Sequence, residues 1–473
     1  MESEDDQNIV TWDSPTDPAN PINWPSWRRW TLICLVSSCT FVATLASSMF
    51  APGVGEVMQE FGVDNDILSS FVITIFVLGL AFGPLFFAPL SELYGRLVLQ
   101  HVGNIGFVAF TVACAVATDL GMLIVFRLFV GIFSSVFLTN GGGIIADMVR
   151  QEERGFALAM FTVGVLLGPV VGPVSGGYLG AAAGWRWIFW VIAILGGVHA
   201  ILCFVFWKES YPPVLLERKA ARLRRETANP KLRSKYDNGL SPKDHFKHSI
   251  TRVCKFLIYS PIVLSLSLHM GLVYSYFYLL LSTLTPIFQE TYGWTSQSTG
   301  LAYLGLGAGF LFGQALFAKI SDRILRRMTR RSADGEMKPE YRLPPSVIGG
   351  CFVPIGLLWY GWAAQEKAHY ILPIIATGFM AFGNCLIFMS IQAYCVDGFT
   401  IFAASALAAT TVVRSVFAGV FPLAAPRMYA ALGIGWGNTL LAGLALLMVP
   451  VPQLLMTHGE KLRKRNVKRM ENL

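Results

Sequence analysis

The chain has 473 residues, of which 54% are hydrophobic and only 14% are charged. A soluble domain carries about a quarter of charged residues, so this composition leaves too little polar surface to cover a globule in water. The net charge of +8 could suggest nucleic-acid binding, but the basic residues are spread between apolar runs and form no basic domain, which argues against it.

Apolar residues are gathered into runs of about twenty, the length that an α-helix needs to cross roughly 30 Å of hydrocarbon. We number twelve such runs span 1 to span 12. They cover 30–51, 69–90, 98–117, 121–145, 155–180, 187–207, 256–287, 298–319, 345–364, 370–395, 401–425 and 436–457. The sequence therefore predicts an all-α polytopic membrane protein with twelve transmembrane helices.

The basic residues predict how the spans are oriented. If the N-terminus is cytoplasmic, all but five of the 37 Lys and Arg residues fall on the cytoplasmic side. The loop 52–68, which would then lie outside, contains four acidic residues and no basic one. Since cytoplasmic loops of membrane proteins are enriched in Lys and Arg, both ends of the chain are predicted to be cytoplasmic.

A long polar stretch divides six spans from six. The predicted organisation is a cytoplasmic tail over 1–29, a six-helix bundle over 30–207, a basic cytoplasmic linker over 208–255, a second six-helix bundle over 256–457 and a basic tail over 458–473. Within the linker, 213–227 has the pattern of a basic amphipathic helix at the membrane surface. An ordinary charged linker explains that stretch equally well.

Span 5 holds the most specific pattern in the chain. Glycines recur at every fourth position from Gly164 to Gly180, and prolines follow two of them. Such a stripe lets another helix approach closely, and the prolines remove backbone donors and permit bending. Close packing is the simple interpretation, and a hinge or seal is the functional hypothesis.

The motif in span 5 and a second one in a loop resemble a known family. The segment GPVVGPVSGG contains Gly168, Pro169, Gly172, Pro173, Gly176 and Gly177. It resembles the antiporter motif of the major facilitator superfamily, in its drug:proton antiporter branch. The segments 20–30, 339–345 and 405–415 resemble the fungal members of that branch. The loop APLSELYGRL, over 88–97, resembles the cytoplasmic loop motif of that family, although Ala88 and Leu97 depart from it. The resemblance implies export, with span 5 sealing the outer side.

The loop motif supplies an acid and a base for gating. Glu92 takes the acidic position and Arg96 the basic one, and such a pair at the ends of adjacent helices can latch one conformation. The alternative is a solvated loop whose ion pairs are worth only ~0–1 kcal/mol. Asp147 and Asp397 close spans 4 and 10 at their cytoplasmic ends, as an internal repeat predicts.

Two arginines lie inside predicted spans, where a charge is costly and is usually functional. The family resemblance implies a role in proton coupling for Arg127 of span 4, and the alternative is that its side chain snorkels to the outer interface. Arg414 of span 11 has Asp397 as a possible partner. Span 1 contains no acidic residue, so proton carriage falls to the carboxylates near the cytoplasmic side or to histidines.

The resemblance also implies that spans 1, 4, 7 and 10 line a central cavity. Aromatic rings with a few amides suit flat, amphipathic organic molecules, whereas packing between helices is the alternative for each residue. A histidine there could titrate near neutral pH or serve packing alone. The predicted substrate-binding residues are Asn140, His269, Tyr274, Tyr278, Asn384, Phe388 and Gln392.

The predicted function is proton-coupled export of drugs, xenobiotics, toxins or secondary metabolites by alternating access. The alternatives are an importer or facilitator of one metabolite, such as an organic acid, and a non-transporting membrane sensor. The sequence has no GxxxxGK[ST] loop, which argues against ATP-driven transport. We expect no enzyme activity, cofactor, metal site, disulfide or nucleic-acid partner. A monomer in the plasma membrane, or alternatively the vacuolar membrane, is predicted.

Overall fold

The computed structural model describes residues 8–150, 154–236, 239, 241–332, 336–399 and 403–471, which are mostly helical. Before the linker, the α-helices are α1 Ser26–Ser48, α2 Val54–Glu60, α3 Asp66–Leu80, α4 Ala88–Tyr94, α5 Arg96–Ala115, α6 Leu120–Met148, α7 Arg154–Ala183 and α8 Trp185–Phe206. The linker forms α9 Pro212–Thr227 and α10 Pro242–Tyr259. After it follow α11 Pro261–Tyr292, α12 Ser296–Ala302, α13 Leu304–Arg331, α14 Pro344–Gln365, α15 Ile371–Phe399, α16 Ala403–Val420, α17 Ala425–Met448 and α18 Pro450–Glu471.

Shorter elements join or interrupt these helices. Two-residue strands β1 Ile9–Val10 and β2 Arg233–Ser234 pair in parallel. A π-helical turn at Gly83–Phe87 joins α3 to α4 within span 2. The 3₁₀ helices are Pro21–Asn23, Ala51–Gly53, Pro339–Arg342 and Phe421–Ala424.

Among the described residues, eleven helical segments are long and apolar enough to cross a membrane. The last, Ala403–Arg463, has 61 residues, and a straight helix of that length would extend about 90 Å. The chain instead turns at Gly433, whose φ of 76° and ψ of 170° are non-helical and suit glycine. This segment therefore crosses twice, as spans 11 and 12. The prediction of twelve transmembrane helices is confirmed.

Helix ends differ from the predicted spans where the chain supplies its own caps. Span 2 starts at Asp66, because the side chain of Asn65 accepts hydrogen bonds from the N–H groups of Ile67 and Leu68. Span 7 was predicted to begin at 256, but its helix begins at Pro261. A proline suits the first helical turn, and the Ser260 hydroxyl accepts a hydrogen bond from Val263 N.

The two halves of the chain repeat the same helix packing. In the first half, span 5 packs on span 1, span 4 packs on spans 2 and 3, and span 6 packs on span 3. The second half repeats each pair six spans later, with span 11 on span 7, span 10 on spans 8 and 9, and span 12 on span 9. The fold is therefore two equivalent six-helix bundles. They meet where span 5 packs on span 8 and span 2 packs on span 11.

Large apolar side chains remain exposed around the outside of the bundles. Phe204 and Val205 of span 6 are 65% and 69% exposed, and Phe312 of span 8 is 69% exposed. Lipid tails are as apolar as these side chains, so exposure to a bilayer does not carry the cost of exposure to water. This surface fits the membrane environment that the composition predicts.

The N-terminal tail and the linker contact each other through β1, β2 and α9. The helix predicted over 213–227 is confirmed as α9, and its buried residues are Leu216 and Ala220. α9 contacts β1, β2 and α4, so its apolar face is covered by protein rather than by lipid. The Lys219 Nζ atom lies 2.6 Å from Asp13 Oδ1 and ties the tail to this helix. The second linker helix, α10, was not predicted.

Candidate functional site

We name the two faces of the protein after the predicted orientation. On the outer side, the halves meet through the outer part of span 5. A Cβ atom added at Gly177 would lie 2.8 Å from Ser296 O, and one added at Gly300 would lie 2.6 Å from Pro173 O. Both distances are too short for a real Cβ contact, so the backbones of spans 5 and 8 touch directly. In this structure the outer side is closed here.

The glycine stripe on the other face of span 5 packs against span 1, within the same half. Cβ atoms added at Gly168, Gly172 and Gly176 would overlap Thr44, Ser48 and Met49, respectively. Two hydroxyls cross the contact, because Thr44 Oγ1 donates to Gly164 O over 3.3 Å and Ser48 Oγ donates to Gly168 O over 3.5 Å. The stripe therefore provides close packing. The contact between halves is made by the face that carries Pro173 and Gly177.

Arg96 is the centre of an ion cluster at the cytoplasmic end of the first half. Its Nε donates to Asp147 Oδ2 over 3.2 Å and its Nη1 donates to Ser91 Oγ over 2.6 Å. The guanidinium also lies 4.5 Å from the centre of the Tyr211 ring. Glu92 forms no ion pair in the described part of the chain, so the predicted Glu92–Arg96 latch is replaced by an Arg96–Asp147 pair.

Glu209 completes this cluster and was not predicted. Its carboxylate accepts from the backbone N–H groups of Arg96 and Leu97, over 3.0 and 3.2 Å, and so caps the first turn of span 3. Gly95, with φ of 97°, leaves room for that carboxylate, because a Cβ atom there would overlap it. The burial of Tyr211, together with the charge of Glu92, raises the pKa of Tyr211 to about 12.

The second half has an equivalent cluster around Arg342. Its Nε donates to Asp397 Oδ2 over 2.8 Å, and its Nη1 donates to Asp322 Oδ1 over 2.7 Å and to Ser321 Oγ over 3.0 Å. The predicted Arg414–Asp397 pair is therefore wrong, because Asp397 lies at the cytoplasmic end of its helix beside Arg342. One signal for this cluster was present in the sequence.

That signal is a serine followed by an acidic residue at the end of one span in each half. Ser91 is followed by Glu92 at the end of span 2, and Ser321 is followed by Asp322 at the end of span 8. The two positions are equivalent in the repeat, and each is followed along the chain by the arginine of its cluster. The residues of each cluster belong to one half, except that Glu209 and Tyr211 belong to the linker. The clusters therefore tie helices together within a half and do not join the halves.

Arg127 lies deep inside the first bundle. Only 1% of the residue is exposed, so the snorkelling alternative is wrong. Its Nη2 donates to Ile73 O over 3.4 Å, and its guanidinium lies 4.8 Å from the ring centre of Phe50 and 5.8 Å from that of Phe189. Its Nε atom has no hydrogen-bond partner in the described part of the chain. The structure thus gives this cation an aromatic cage.

Arg414 occupies a second aromatic site, between spans 7, 10 and 11. Its guanidinium lies 4.6 Å from the ring centre of Tyr274 and 5.2 Å from that of Phe388. The two rings stack at 6.5 Å, and Tyr278 packs edge-on against Tyr274 at 5.3 Å. The structure therefore brings together three residues predicted for substrate binding and one predicted for gating.

The other predicted substrate-binding residues lie apart from this cluster or serve packing. Asn384 Nδ2 donates to Val273 O over 3.2 Å and joins span 10 to span 7. His269 is 1% exposed, and Asn140 is fully buried. Neither His269 Nδ1 nor the side-chain amide of Asn140 has a hydrogen-bond partner among the residues that the structure covers. Gln392 is half-buried.

Known proteins resemble this chain along nearly its whole length. The sequence model of the Major Facilitator Superfamily matches residues 36–422. The MFS-type transporter tndD of Aspergillus flavipes is 50% identical over 460 residues, which cover 97% of this chain and 86% of that protein. The efflux pump radE of Floropilus chiversii is 48% identical over 462 residues, which cover 98% of this chain and 86% of that protein.

Solved structures share the fold. The partially occluded, inward-open xylose transporter XylE from E. coli matches with a TM-score of 0.67 and 17% identity, over 91% of this chain and 97% of that one. An inward-facing bacterial homologue of the human lysosomal transporter Spinster matches with a TM-score of 0.67 and 14% identity, over 93% of this chain and 99% of that one. At these identities the likeness shows the fold alone.

Proposed function

The chain belongs to the major facilitator superfamily, and on this premise we propose that it exports small organic compounds by proton-coupled alternating access. Membership makes it a multi-pass secondary transporter, not an enzyme. The proposal adds a direction, an energy source and a location in the plasma membrane, where export removes a compound from the cell. It also takes the protein to work as a monomer in lipid, without a nucleic-acid partner.

The contact between spans 5 and 8 carries the proposal. The halves touch backbone to backbone at Gly177 and Gly300 on the outer side, while each ion cluster on the cytoplasmic side joins helices of one half only. A rocking motion could separate spans 5 and 8 without breaking either cluster. The clusters then keep each half rigid while the halves move, which is the motion that alternating access requires.

The direction of transport rests on two observations. The motif of span 5 is the one that resembles antiporters, and its Pro173–Gly177 face makes the outer contact between the halves. The similar protein radE is named an efflux pump. Export in exchange for protons fits both observations.

The twelve predicted spans contain no Asp or Glu at all. Proton binding is therefore assigned to carboxylates at the cytoplasmic ends, such as Asp147 and Asp397, or to histidines such as His269. We assign coupling to Arg127. Its buried charge has no carboxylate partner in the described part of the chain, and a conformation that hydrates it would be favoured. Substrate and proton would then stabilise different conformations, which differ in the hydration of Arg127, so that binding of one disfavours binding of the other.

Proton antiport is tested in everted plasma-membrane vesicles that are energised by an ATP-driven proton pump and contain a fluorescent pH probe. A panel of toxic organic compounds is added from outside. A transported compound should raise the lumenal pH, because each compound that enters exchanges for a proton that leaves. Import would instead move the compound out of the lumen, and the absence of any substrate-evoked pH change in the vesicles would refute antiport.

The role of Arg127 is tested with Arg127→Gln in the same vesicles. We expect gradient-driven accumulation to fall by about tenfold or more, the effect of removing an interaction worth over 1.4 kcal/mol. Exchange of substrate without a gradient should persist. Arg186→Gln is the matched control, since Arg186 pairs with Glu60 at the outer surface and is 38% exposed. Undiminished accumulation in Arg127→Gln would remove its assigned role.

A further inference from the structure

The membrane interior of this protein carries positive charge without negative charge. Arg127 and Arg414 lie well inside predicted spans, and no span contains an acidic residue. A buried charge is normally paired, because transfer out of water is costly when nothing replaces hydration. The spans therefore offer neither cation a carboxylate partner.

Arg414 is the cation with fewer compensating contacts. It is 6% exposed. Among the described residues, its guanidinium makes no hydrogen bond and no ion pair. Its Nε atom is enclosed and has no partner among those residues. The rings of Tyr274 and Phe388 offer cation–π contacts, which replace only part of the hydration of the guanidinium. Arg127, by contrast, donates to the Ile73 carbonyl.

The position of this cation is suited to binding a ligand. Arg414 and Tyr274 lie near the middle of α16 and α11, and transporters built from repeats bind their substrates near the bilayer midplane. Tyr278, which packs on Tyr274, also lies near Ser47 in span 1. The cluster thus borders the interface between the halves. Tyr274 and Phe388 are half-buried rather than fully enclosed.

We propose that Arg414, Tyr274 and Phe388 form a binding site for an organic anion with an aromatic or flat apolar body. The guanidinium would donate two parallel hydrogen bonds to a carboxylate, a geometry that its planar fork favours. The apolar body would stack on the two rings. The inference rests on the proposed export function and narrows its substrates, because the positive interior disfavours organic cations.

Binding is measured by calorimetry on the full chain in lipid nanodiscs. The probes are naphthaleneacetate, biphenylacetate and anthracenecarboxylate, each compared with its own primary amide. At least one carboxylate should bind about tenfold or more tightly than its amide, because a hydrogen bond to a charged group is stronger than one to a neutral group. In Arg414→Gln the ratio of the carboxylate affinity to the amide affinity should fall to about one.

Arg427→Gln is the matched control, because Arg427 is an exposed cation in the same part of the chain. It should keep the preference for the carboxylate. If Arg414→Gln does not elute as a single folded species, Arg414→Lys replaces it. That variant keeps the charge but loses the planar fork, so its ratio should be intermediate.

The inference is overturned if no carboxylate outbinds its amide, or if the preference survives in Arg414→Gln. Titration with sodium chloride covers a further outcome. If chloride binds and the aromatic acids show no advantage over their amides, the cluster is an inorganic-anion site and the proposal is wrong. Flux measurements in proteoliposomes distinguish the anion site from the export function. Transport of the amides but not of the carboxylates would contradict the anion site and leave export supported. Selective binding of a carboxylate without any flux would support the anion site and contradict export.

Discussion

Among single residues, the cytoplasmic clusters depend on side chains that are far apart in the sequence. Glu209 is 113 residues from Arg96 and is 5% exposed. Its Oε1 atom accepts from the backbone N–H groups of Arg96, Ser210 and Tyr211. One buried carboxylate thus fixes both the start of span 3 and the start of the linker.

Glu209→Gln should destabilise the protein. Glutamine has one acceptor oxygen, so its NH₂ group would face one of the backbone N–H donors that the carboxylate now satisfies. We expect a loss of about 1–2 kcal/mol, measured as a lower midpoint temperature in thermal unfolding. Glu217→Gln is the control, because its ion pair with Arg224 lies at the surface with both side chains partly exposed and should contribute under ~1 kcal/mol. Equal midpoints for the two variants would contradict the capping role.

At the scale of helices, glycine spacing determines how closely span 5 approaches its neighbours. One face of span 5 lies against span 1 and another against span 8. The helix pairs of the first half have equivalents in the second, so the two halves share a helix packing. In the sequence, the repeat is visible in the dipeptides Ser91–Glu92 and Ser321–Asp322.

Gly176→Ala should push span 5 away from span 1. The added methyl group would overlap the Met49 carbonyl, and overpacking of this kind costs roughly 1–3 kcal/mol. Thermal unfolding should show a lower midpoint, and transport should fall because the outer contact is displaced. Gly197→Ala in span 6 is the control, since nothing lies within 4 Å of its added Cβ atom. If Gly176→Ala unfolds and transports like the wild type, the glycine stripe does not determine how closely span 5 approaches span 1.

At the scale of the whole molecule, alternating access requires spans 5 and 8 to separate on the outer side. A Cβ atom at Gly177 would lie 3.7 Å from Gln297 Cα, so a cysteine pair at these positions is close enough for a disulfide. In Gly177→Cys with Gln297→Cys, oxidation should stop transport and a reductant should restore it. Each single variant should transport under both conditions. Unchanged transport in the cross-linked protein would show that this contact does not open.

The number of spans and the fold class could be predicted because they depend on local properties. A run such as 69–90 contains no charged residue and is long enough to span hydrocarbon, whatever surrounds it. The candidate aromatic residues Tyr274 and Phe388 could also be named from their span. Their joint contact with Arg414 could not, because it depends on the rotation of three helices about their axes.

Hydrophobic length is a property of the chain, so twelve membrane helices follow from the sequence alone, and the resemblance of two motifs indicates the major facilitator superfamily. Which charges meet depends on the packed structure. Arg96 pairs with Asp147 rather than Glu92, Arg342 pairs with Asp397, and Arg414 lies over the rings of Tyr274 and Phe388. Such pairs join different helices, so they are set by the packing between helices and not by distance along the sequence.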